Sequence, residues 1–414
     1  MSPAGHSSKG SFVAVTIPPV VGLEIGTSKV VALAGELRED GHVMIAGMGE
    51  APSSGVRKGE IIDLENAAVC VRSALAMAEE SGRVDIHQVH LTVSGGHIQS
   101  VSNRGTVPVF DREAGITRED VEQVKEVARA VNLPPDREIL HTIWQNFCID
   151  DQERVVKPEG LEGAKLALDV LVLHGVRNRL NNTIRVVRSL HLDVQDVAFS
   201  GLCAALAVLT QQQKKSGAVL IDLGGGTTNY VAYADGVLAA AGAIGTGGDH
   251  VTNDIAVAFS VPNPQAESLK RSAGSAVVKS GTGAPRVAVP PAGGFPGRQV
   301  SVKALQTVIN ARMHEIFSTV RRRLDGEGIL HHVGAGVVLV GGGSRLKDSE
   351  ELARQIFGMP CAAGAPGNVS GLAAVTEGPA YAACAGMVLY GFRAWAESRR
   401  RVGGRTWLRW PFGS

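Results

Sequence analysis

Cysteine is scarce and ill placed for cross-links: five thiols, at 70, 148, 203, 361 and 384, form an odd, widely spaced set with no Cys-x-x-Cys pair. That excludes a disulfide framework and a thiolate zinc site, and a reducing cytoplasm is the simplest setting. Twelve histidines include the adjacent His331 and His332, but none has zincin or zinc-finger spacing, so a metal cage is not expected. No run approaches 18 consecutive apolar residues, which excludes a membrane-spanning helix and leaves only peripheral contact. The first ten residues are polar with a single Lys, and the apolar stretch 12–23 is broken by Pro18 and Pro19 with no small-residue cleavage site. It does not read as a signal peptide, and residues 1–16 are expected to be a disordered tail. A net charge of +1 gives no electrostatic bias toward nucleic acid.

What is present is enough apolar residue for two cores: 44% of 414 residues, where domains run to roughly 100–200 residues each. Three short apolar stretches end in small residues and read as buried strands feeding tight turns, at 20–27, 218–228 and 336–344. The first continues as a strand over 30–36, turns at Glu39-Asp40-Gly41 and resumes over 43–48. The second repeats the plan over 230–233, Ala234-Asp235-Gly236 and 237–244. The same strand, glycine turn, strand, Asp-Gly turn and strand about 200 residues apart predicts a duplicated α/β domain. Between the copies, apolar spacing near 3.6 predicts helices over 64–81 and 117–131, with Asp63 and Thr117 as start signals. Residues 89–109 alternate like paired strands, and with 138–149 and 165–173 they suggest an inserted α+β subdomain over about 85–170. Residues 272–300 are rich in Gly and Pro and predict loops around short edge strands. A long helix over 301–324 follows, closed by Arg321-Arg322-Arg323, a cationic last turn that complements the helix dipole.

The chemistry concentrates in the turns. Asp222 ends a buried strand and is followed by Leu223, Gly224, Gly225, Gly226, Thr227 and Thr228. Residues without Cβ let backbone N–H groups approach phosphate oxygens, and the carboxylate can hold the waters of a bound Mg2+. The first copy offers Glu24, Ile25, Gly26, Thr27, Ser28 and Lys29, with Lys29 as a point charge for a β- or γ-phosphate. Gly341, Gly342, Gly343 and Ser344 have no carboxylate and suit close packing against a purine and its sugar. Three such loops in this order predict a nucleotide, its triphosphate gripped from opposite sides by the first two hairpins, with Glu24 and Asp222 at the strand ends to hold Mg2+ through water.

This order of motifs resembles the actin, DnaK-type chaperone and sugar-kinase superfamily. Within it the chain is similar, over about 19–391, to the bacterial cell-division FtsA family. The residues that carry the resemblance are those of 21–30, Gly55 to Gly59 with Asp63-Leu64-Glu65, Leu91 to Gly95, Gly105 to Pro108, the Asp222 turn, Val251 to Ala256, and His331-His332 with Gly341 to Gly343. Glu24 in place of the usual Asp is itself typical of that family. The resemblance implies an actin-like, ribonuclease H-like duplicated fold with an SHS2-like inserted subdomain 1C. Domain I would span 17–195 plus 365–391 with the insert at about 85–170. Domain II would span 196–364 with a small subdomain at about 251–326, and 392–414 would be a basic linker and a short membrane-targeting segment. It further places Gly247 and Gly248 near the sugar, and Glu267 and Lys270, with the Glu-x-x-Lys spacing of chaperone relatives and Gly274 close behind, against ribose and adenine.

Hydrolytic relatives carry a carboxylate or glutamine before the central hinge helix, where it can position water. Residues 198–205 here have none, so weak or no ATP turnover is expected. A sugar-kinase phosphotransferase would need a carboxylate base, and no Asp or Glu stands out near the second phosphate loop. A pilus or secretion assembly scaffold is the other alternative; the Val251 to Ala256 stretch and the aromatic tail favour FtsA.

Residues 392–414 hold six Arg against the single acid Glu397, with Trp395, Trp407 and Trp410 interleaved. Trp407, Leu408, Arg409, Trp410 and Phe412 resemble the amphipathic anchor of the family, here with Pro411 limiting the helix. The partners so implied are the C-terminal peptide of the tubulin-like FtsZ, other copies of the chain in a filament, anionic inner-membrane lipid at the septum, and later division proteins through subdomain 1C. The FtsZ peptide would meet the small subdomain of domain II, where Arg312 and Arg321 to Arg323 are candidates for an acidic partner.

Overall fold

The computed structural model describes residues 18–111, 114–150, 152–279, 285–289, 291 and 297–402. The chain opens with β1 (Val20–Ile25), β2 (Lys29–Leu37) and β3 (Val43–Pro52), antiparallel in that order. The short β4 (Val56–Arg57) and β5 (Glu60–Ile61) form a hairpin ahead of α1 (Leu64–Gly82). Asp63 caps α1 by accepting the Asn66 N–H. β6 (Gln88–Val93) then pairs parallel to β1.

From β6 the chain leaves this sheet for another. β7 (Gln99–Pro108), α2 (Arg118–Arg129), β8 (Arg137–Ile149), β9 (Gln152–Val155) and β10 (Lys165–Val176) build a four-stranded sheet in the order β7-β10-β8-β9. A Thr117–Asp120 capping box starts α2, whose Val121, Val124 and Ala128 pack on Val107, Leu166, Leu168 and Val170. The expectation of a strand pair over 89–109 is corrected here. β6 and β7 lie in different sheets, because the Gly95 turn (φ 137°) redirects the chain between them. Alternation alone marks strands, not partners.

α3 (Arg177–Arg188) returns to the first sheet, where β11 (Asp193–Phe199) pairs parallel to β6. α4 (Ser200–Val208) and α5 (Gln211–Lys215) lead into the second copy. β12 (Ala218–Leu223), β13 (Thr228–Ala234) and β14 (Val237–Ile244) form its antiparallel meander. Asp235 and Gly236, both at positive φ (52° and 85°), make the β13–β14 turn. α6 (Gly248–Phe259), α7 (Asn263–Ala273), the β15 (Arg286–Val289) and β16 (Arg298–Ser301) hairpin, and α8 (Val302–Gly326) follow. β17 (Val337–Val340), α9 (Ser349–Phe357) and β18 (Cys361–Ala363) complete the second sheet. β19 (Ser370–Gly371), α10 (Ala373–Thr376) and α11 (Ala382–Val402) bring the chain back to the first.

The two large sheets read β11-β6-β1-β2-β3-β19 and β14-β13-β12-β17-β18. Counted within each copy and leaving aside β19, added at the first sheet's β3 edge, both run third, second, first, fourth, fifth strand, so the repeat predicted from the turns is a repeat of topology. β12 is buried along its whole length, which is why it is a continuous apolar run rather than an alternating one. α4 and α11 pack against each other between the halves, α11 on β1 and β2 and α4 on β12 and β13. One core joins the halves, including Phe199, Ala204, Leu220, Val231 and Ala383. The inserted subdomain is tied to β14: the Ser100 hydroxyl donates to the Ala241 carbonyl (2.6 Å), and Gln145 Nε2 donates to the Leu238 carbonyl (2.6 Å).

Candidate functional site: a cavity between two glycine loops

Registers place the site. Glu24 faces Val31 across β1–β2, leaving Gly26 to Ser28 as the turn, and Asp222 faces Asn229 across β12–β13, leaving Gly224 to Thr227. The two strand ends converge, so one cavity is lined by Glu24, Gly26, Thr27, Ser28 and Lys29 from the first copy. Asp222, Gly224, Gly225, Gly226 and Thr227 line it from the second, with Gly341 and Gly342 beside them. The loops nearly touch: a Cβ on Gly226 would stand 2.4 Å from Thr27 Oγ1, and one on Gly225 would stand 2.8 Å from Ser28 Oγ. Gly341 has φ 84°, and a Cβ there would meet Asp222 Oδ1 at 2.4 Å, so this position needs glycine twice over.

Asp222 is buried and Glu24 half-buried in one low-dielectric space. Burial, then the charge of Asp222, pushes the Glu24 pKa up to about 7 against the opposing pull of Lys29. Burial also raises Asp222, partly offset by the Asn229 amide, whose Nδ2 donates to Asp222 Oδ2 at 3.0 Å. Glu24 Oε2 is buried without a hydrogen-bond partner. An unsatisfied carboxylate oxygen beside a second carboxylate is the condition a hard divalent cation relieves, directly or through its waters. The donor set therefore fits Mg2+. Among the described residues no group of three or more acidic, histidine or cysteine side chains could cage a metal.

Other predicted residues stand behind the cavity. Thr228 and Ser344 spend their hydroxyls on the carbonyls of Thr246 and Gly341, both at 2.8 Å, and Gly343 packs on Leu223. Gly247 and Gly248 lie directly against the second loop: the Gly248 N–H donates to the Gly224 carbonyl (2.9 Å). Lys270 Nζ donates to the Gly248 carbonyl (3.0 Å) and the Thr252 hydroxyl (2.8 Å) and pairs with Glu267 (2.6 Å). Glu267 and Lys270 thus brace the start of α6, and Gly274 caps α7 one turn on. Lys29 lines the cavity, but its ammonium is 2.9 Å from Glu50 and 3.7 Å from the centre of the Tyr381 ring.

Sequence reasoning missed a polar chain across the cavity: Ser94 Oγ donates to Asn229 Oδ1 (2.7 Å) and lies 3.1 Å from Thr227 Oγ1. The duplication was a usable signal. Thr92 pairs with Glu24 as Val340 pairs with Asp222, so Ser94 follows β6 as Gly341 and Gly342 follow β17. It also missed Gly59, whose N–H donates to Thr27 Oγ1 (3.0 Å). One expectation is corrected: a carboxylate does stand at the second loop. The Asp249 N–H donates to the Gly225 carbonyl (2.8 Å), and its side-chain oxygens lie 3.1 and 3.2 Å from where a Gly225 Cβ would be. Three arginines suggested for an acidic partner are also committed internally. Arg312 forks onto Asp254 (2.6 and 3.1 Å), Arg321 donates to the Ile356 carbonyl, and Arg323 donates to the Ala243 carbonyl. Arg322 is exposed. The anchor residues Trp407, Leu408, Arg409, Trp410 and Phe412 lie outside the described residues, as do residues 1–16.

Two copies of one sheet topology, joined through α4 and α11 with glycine loops facing across the join, define an actin-like nucleotide-binding fold. Solved structures agree on the fold. The PilM–PilN type IV pilus biogenesis complex superposes with a TM-score of 0.63 at 16% identity, over 90% of this chain and 98% of that one. MreB5 of Spiroplasma citri bound to ADP gives 0.52 at 14% identity, over 94% and 100%. The family is set by sequence. "Cell division protein FtsA" matches residues 219–386, and "SHS2 domain inserted in FTSA" matches 95–174, which covers the sheet of β7 to β10. Cell division protein FtsA of Pseudomonas aeruginosa is 37% identical over 90% of this chain and 89% of its own length. That of Escherichia coli K12 is 35% identical over 92% and 93%. The chain belongs to the FtsA cell-division family.

Proposed function

We propose that this chain binds ATP with Mg2+ in the cavity between its halves and, in that state, forms filaments on the inner membrane face. Those filaments tether the FtsZ C-terminal peptide at the division septum and recruit later division proteins through the inserted subdomain. The observation that carries the nucleotide half is the pairing of Glu24 and Asp222, facing carboxylates with one buried oxygen, Glu24 Oε2, left unsatisfied, between loops that offer backbone N–H groups. When bound, Mg2+ would neutralise phosphate charge, with Glu24 and Asp222 holding its waters. Thr27, Ser28, Lys29 and Gly224 to Thr227 would take the phosphates. Gly341 and Gly342 would take the nucleoside side, with Glu267, Lys270 and Gly274 behind.

Turnover would be slow or negligible. Ser200 is the side chain that the start of α4 contributes to the cavity, and its hydroxyl donates to the Val93 carbonyl (3.0 Å), which leaves it poorly placed to orient water. The division role follows from family membership. A peripheral membrane mode accords with the described helices, none of which is long and apolar enough to cross a membrane. Cosedimentation of the full chain with phosphatidylglycerol vesicles and a fluorescent FtsZ C-terminal peptide tests the tether. Peptide pelleting only when ATP, protein and vesicles are all present supports it; pelleting unchanged by deleting residues 406–414 would sink the anchor.

A further inference from the structure

The chain enters and leaves the inserted sheet through two crossings, from β6 into β7 and from β10 into α3, and one imidazole lies between them. Gly95 turns the outgoing crossing at φ 137°, and the Ile98 N–H closes the turn on the Gly95 carbonyl (3.0 Å). His97, 6% exposed, fills the space between the crossings: a Cβ on Gly95 would stand 2.8 Å from its Nε2, and one on Gly175 would stand 3.0 Å from its Nδ1. Its Nδ1 accepts the Val176 N–H (3.1 Å), and Arg137 Nη1, from β8, donates to its carbonyl (2.9 Å). A shift of the Gly95 turn is therefore passed to the return crossing, and so to the whole insert. The base of the insert is held on β14, where Ser100 Oγ accepts the Ala241 N–H (3.2 Å) and donates to the Ala241 carbonyl (2.6 Å). Farther out, Arg154 Nη2 meets Asp235 Oδ2 (2.7 Å) beside an open crevice, and both side chains are substantially exposed. An exposed pair of this kind is weak and separates readily.

The residue before Gly95 is Ser94, which lines the nucleotide cavity. Its one hydroxyl proton goes to Asn229 Oδ1 (2.7 Å), and the Asn229 amide is oriented by its own bond to Asp222 (3.0 Å). The proton in the 3.1 Å contact between Ser94 and Thr227 must then come from Thr227. A phosphate oxygen bound at Thr227 takes that proton, being the stronger, charged acceptor, and Ser94 loses its hold on the second phosphate loop. We infer that nucleotide occupancy sets the orientation of the inserted subdomain: phosphate at Thr227 releases Ser94, the Gly95 turn relaxes, and through His97 the insert swings about Ser100, away from the second half. The inference rests on the nucleotide reading above and gives that site a mechanical output. The ligand has the differential contact such a shift requires, because the Thr227 proton has a different acceptor in each arrangement. β10 runs 12 residues from tip to crossing, roughly 40 Å, so a shift of about 1 Å at Ser94, much nearer the fulcrum, becomes about 3 Å at the tip. The Arg154–Asp235 pair is the contact that opens.

Double electron–electron resonance on the full chain tests this, with spin labels at Lys157→Cys, in the loop between β9 and β10 at the insert's tip, and at Asp325→Cys, near the end of α8. Both positions are exposed, and a Cys70→Ser background removes the half-buried native thiol. Isothermal titration on the same labelled chain measures ATP binding. The expected result is a label-to-label distance at least about 3 Å longer in saturating ATP with magnesium than without nucleotide, and less than about half of that shift in a His97→Ala chain that still binds ATP. A distance that is unchanged or shorter while ATP is bound overturns the coupling and leaves the nucleotide reading standing. Absence of ATP binding overturns both. A full shift in a folded His97→Ala chain overturns the route through His97. The parent chain alone decides whether the insert moves, so the test holds even where His97→Ala fails to fold.

Discussion

Gly226 and Thr27 meet across the cavity so closely that a single added carbon would sit 2.4 Å from the threonine hydroxyl oxygen. Each belongs to a different half of the duplicated fold, so the contact reports directly on how far apart the halves stand. Gly226→Val forces the two loops to separate or the valine to fill the phosphate space. The expected outcome is a loss of ATP affinity of at least about 30-fold, roughly 2 kcal/mol, with the far-ultraviolet circular dichroism spectrum unchanged. Equilibrium binding of a fluorescent ATP analogue measures it.

Glu24 sits in a place where its charge is a liability until a cation arrives. Replacing it by the isosteric Glu24→Gln removes the repulsion from Asp222 and the burial of an ionisable group. The ligand-free chain should unfold at a higher temperature than the parent. Its ATP affinity should lose most of its dependence on magnesium. Differential scanning calorimetry, together with ATP titrations in magnesium and in EDTA, checks both halves; a destabilised variant that keeps its magnesium response contradicts the assignment.

Two neutral histidines fasten the inserted subdomain. His97 Nδ1 accepts the Val176 N–H (3.1 Å) and His141 Nε2 accepts the Phe199 N–H (3.0 Å). Burial lowers both to about 4, helped at His97 by Arg179 and Arg137 and opposed at His141 by Asp196. A base whose folded pKa is depressed contributes stability above its unfolded value near 6.5, and loses it as pH falls toward 4. Each can cost up to about 3 kcal/mol over that window. Glu24, raised rather than lowered, acts with the opposite sign as pH falls from 7, so the histidine contribution is read by difference. Urea midpoints between pH 6.5 and 5 should fall for the parent and flatten in the His97→Gln/His141→Gln double variant.

Much of this was legible because the glycine turns are local. β1 with Gly26 to Ser28, and β12 with Gly224 to Thr227, carry their own strand, turn and carboxylate within ten residues. Their repetition gave the fold class before any contact was known. Asp63, Thr117 and Ser301 likewise mark helix starts by chemistry that acts within one turn. What could not be read depends on distant partners. Lys29 reads in sequence as a lone cation, and only the fold brings Glu50, 21 residues away, and Tyr381, hundreds of residues away, onto it. Arg312 likewise reads in sequence as a lone cation, and only the fold brings Asp254 of α6 onto it. Ser94 and Asn229 are ordinary strand-end polar residues in sequence and join only when the two halves face each other.

Asp222 is the residue on which the proposal of one nucleotide site between the paired strand ends rests. Asp222→Asn keeps the side-chain shape and a partner for Asn229 while removing one charge. Isothermal titration of ATP in magnesium should show affinity at least about tenfold weaker than the parent's, about 1.4 kcal/mol, at an unchanged or higher unfolding temperature. Equal ATP affinity in parent and variant, with the same magnesium dependence, would contradict the shared site.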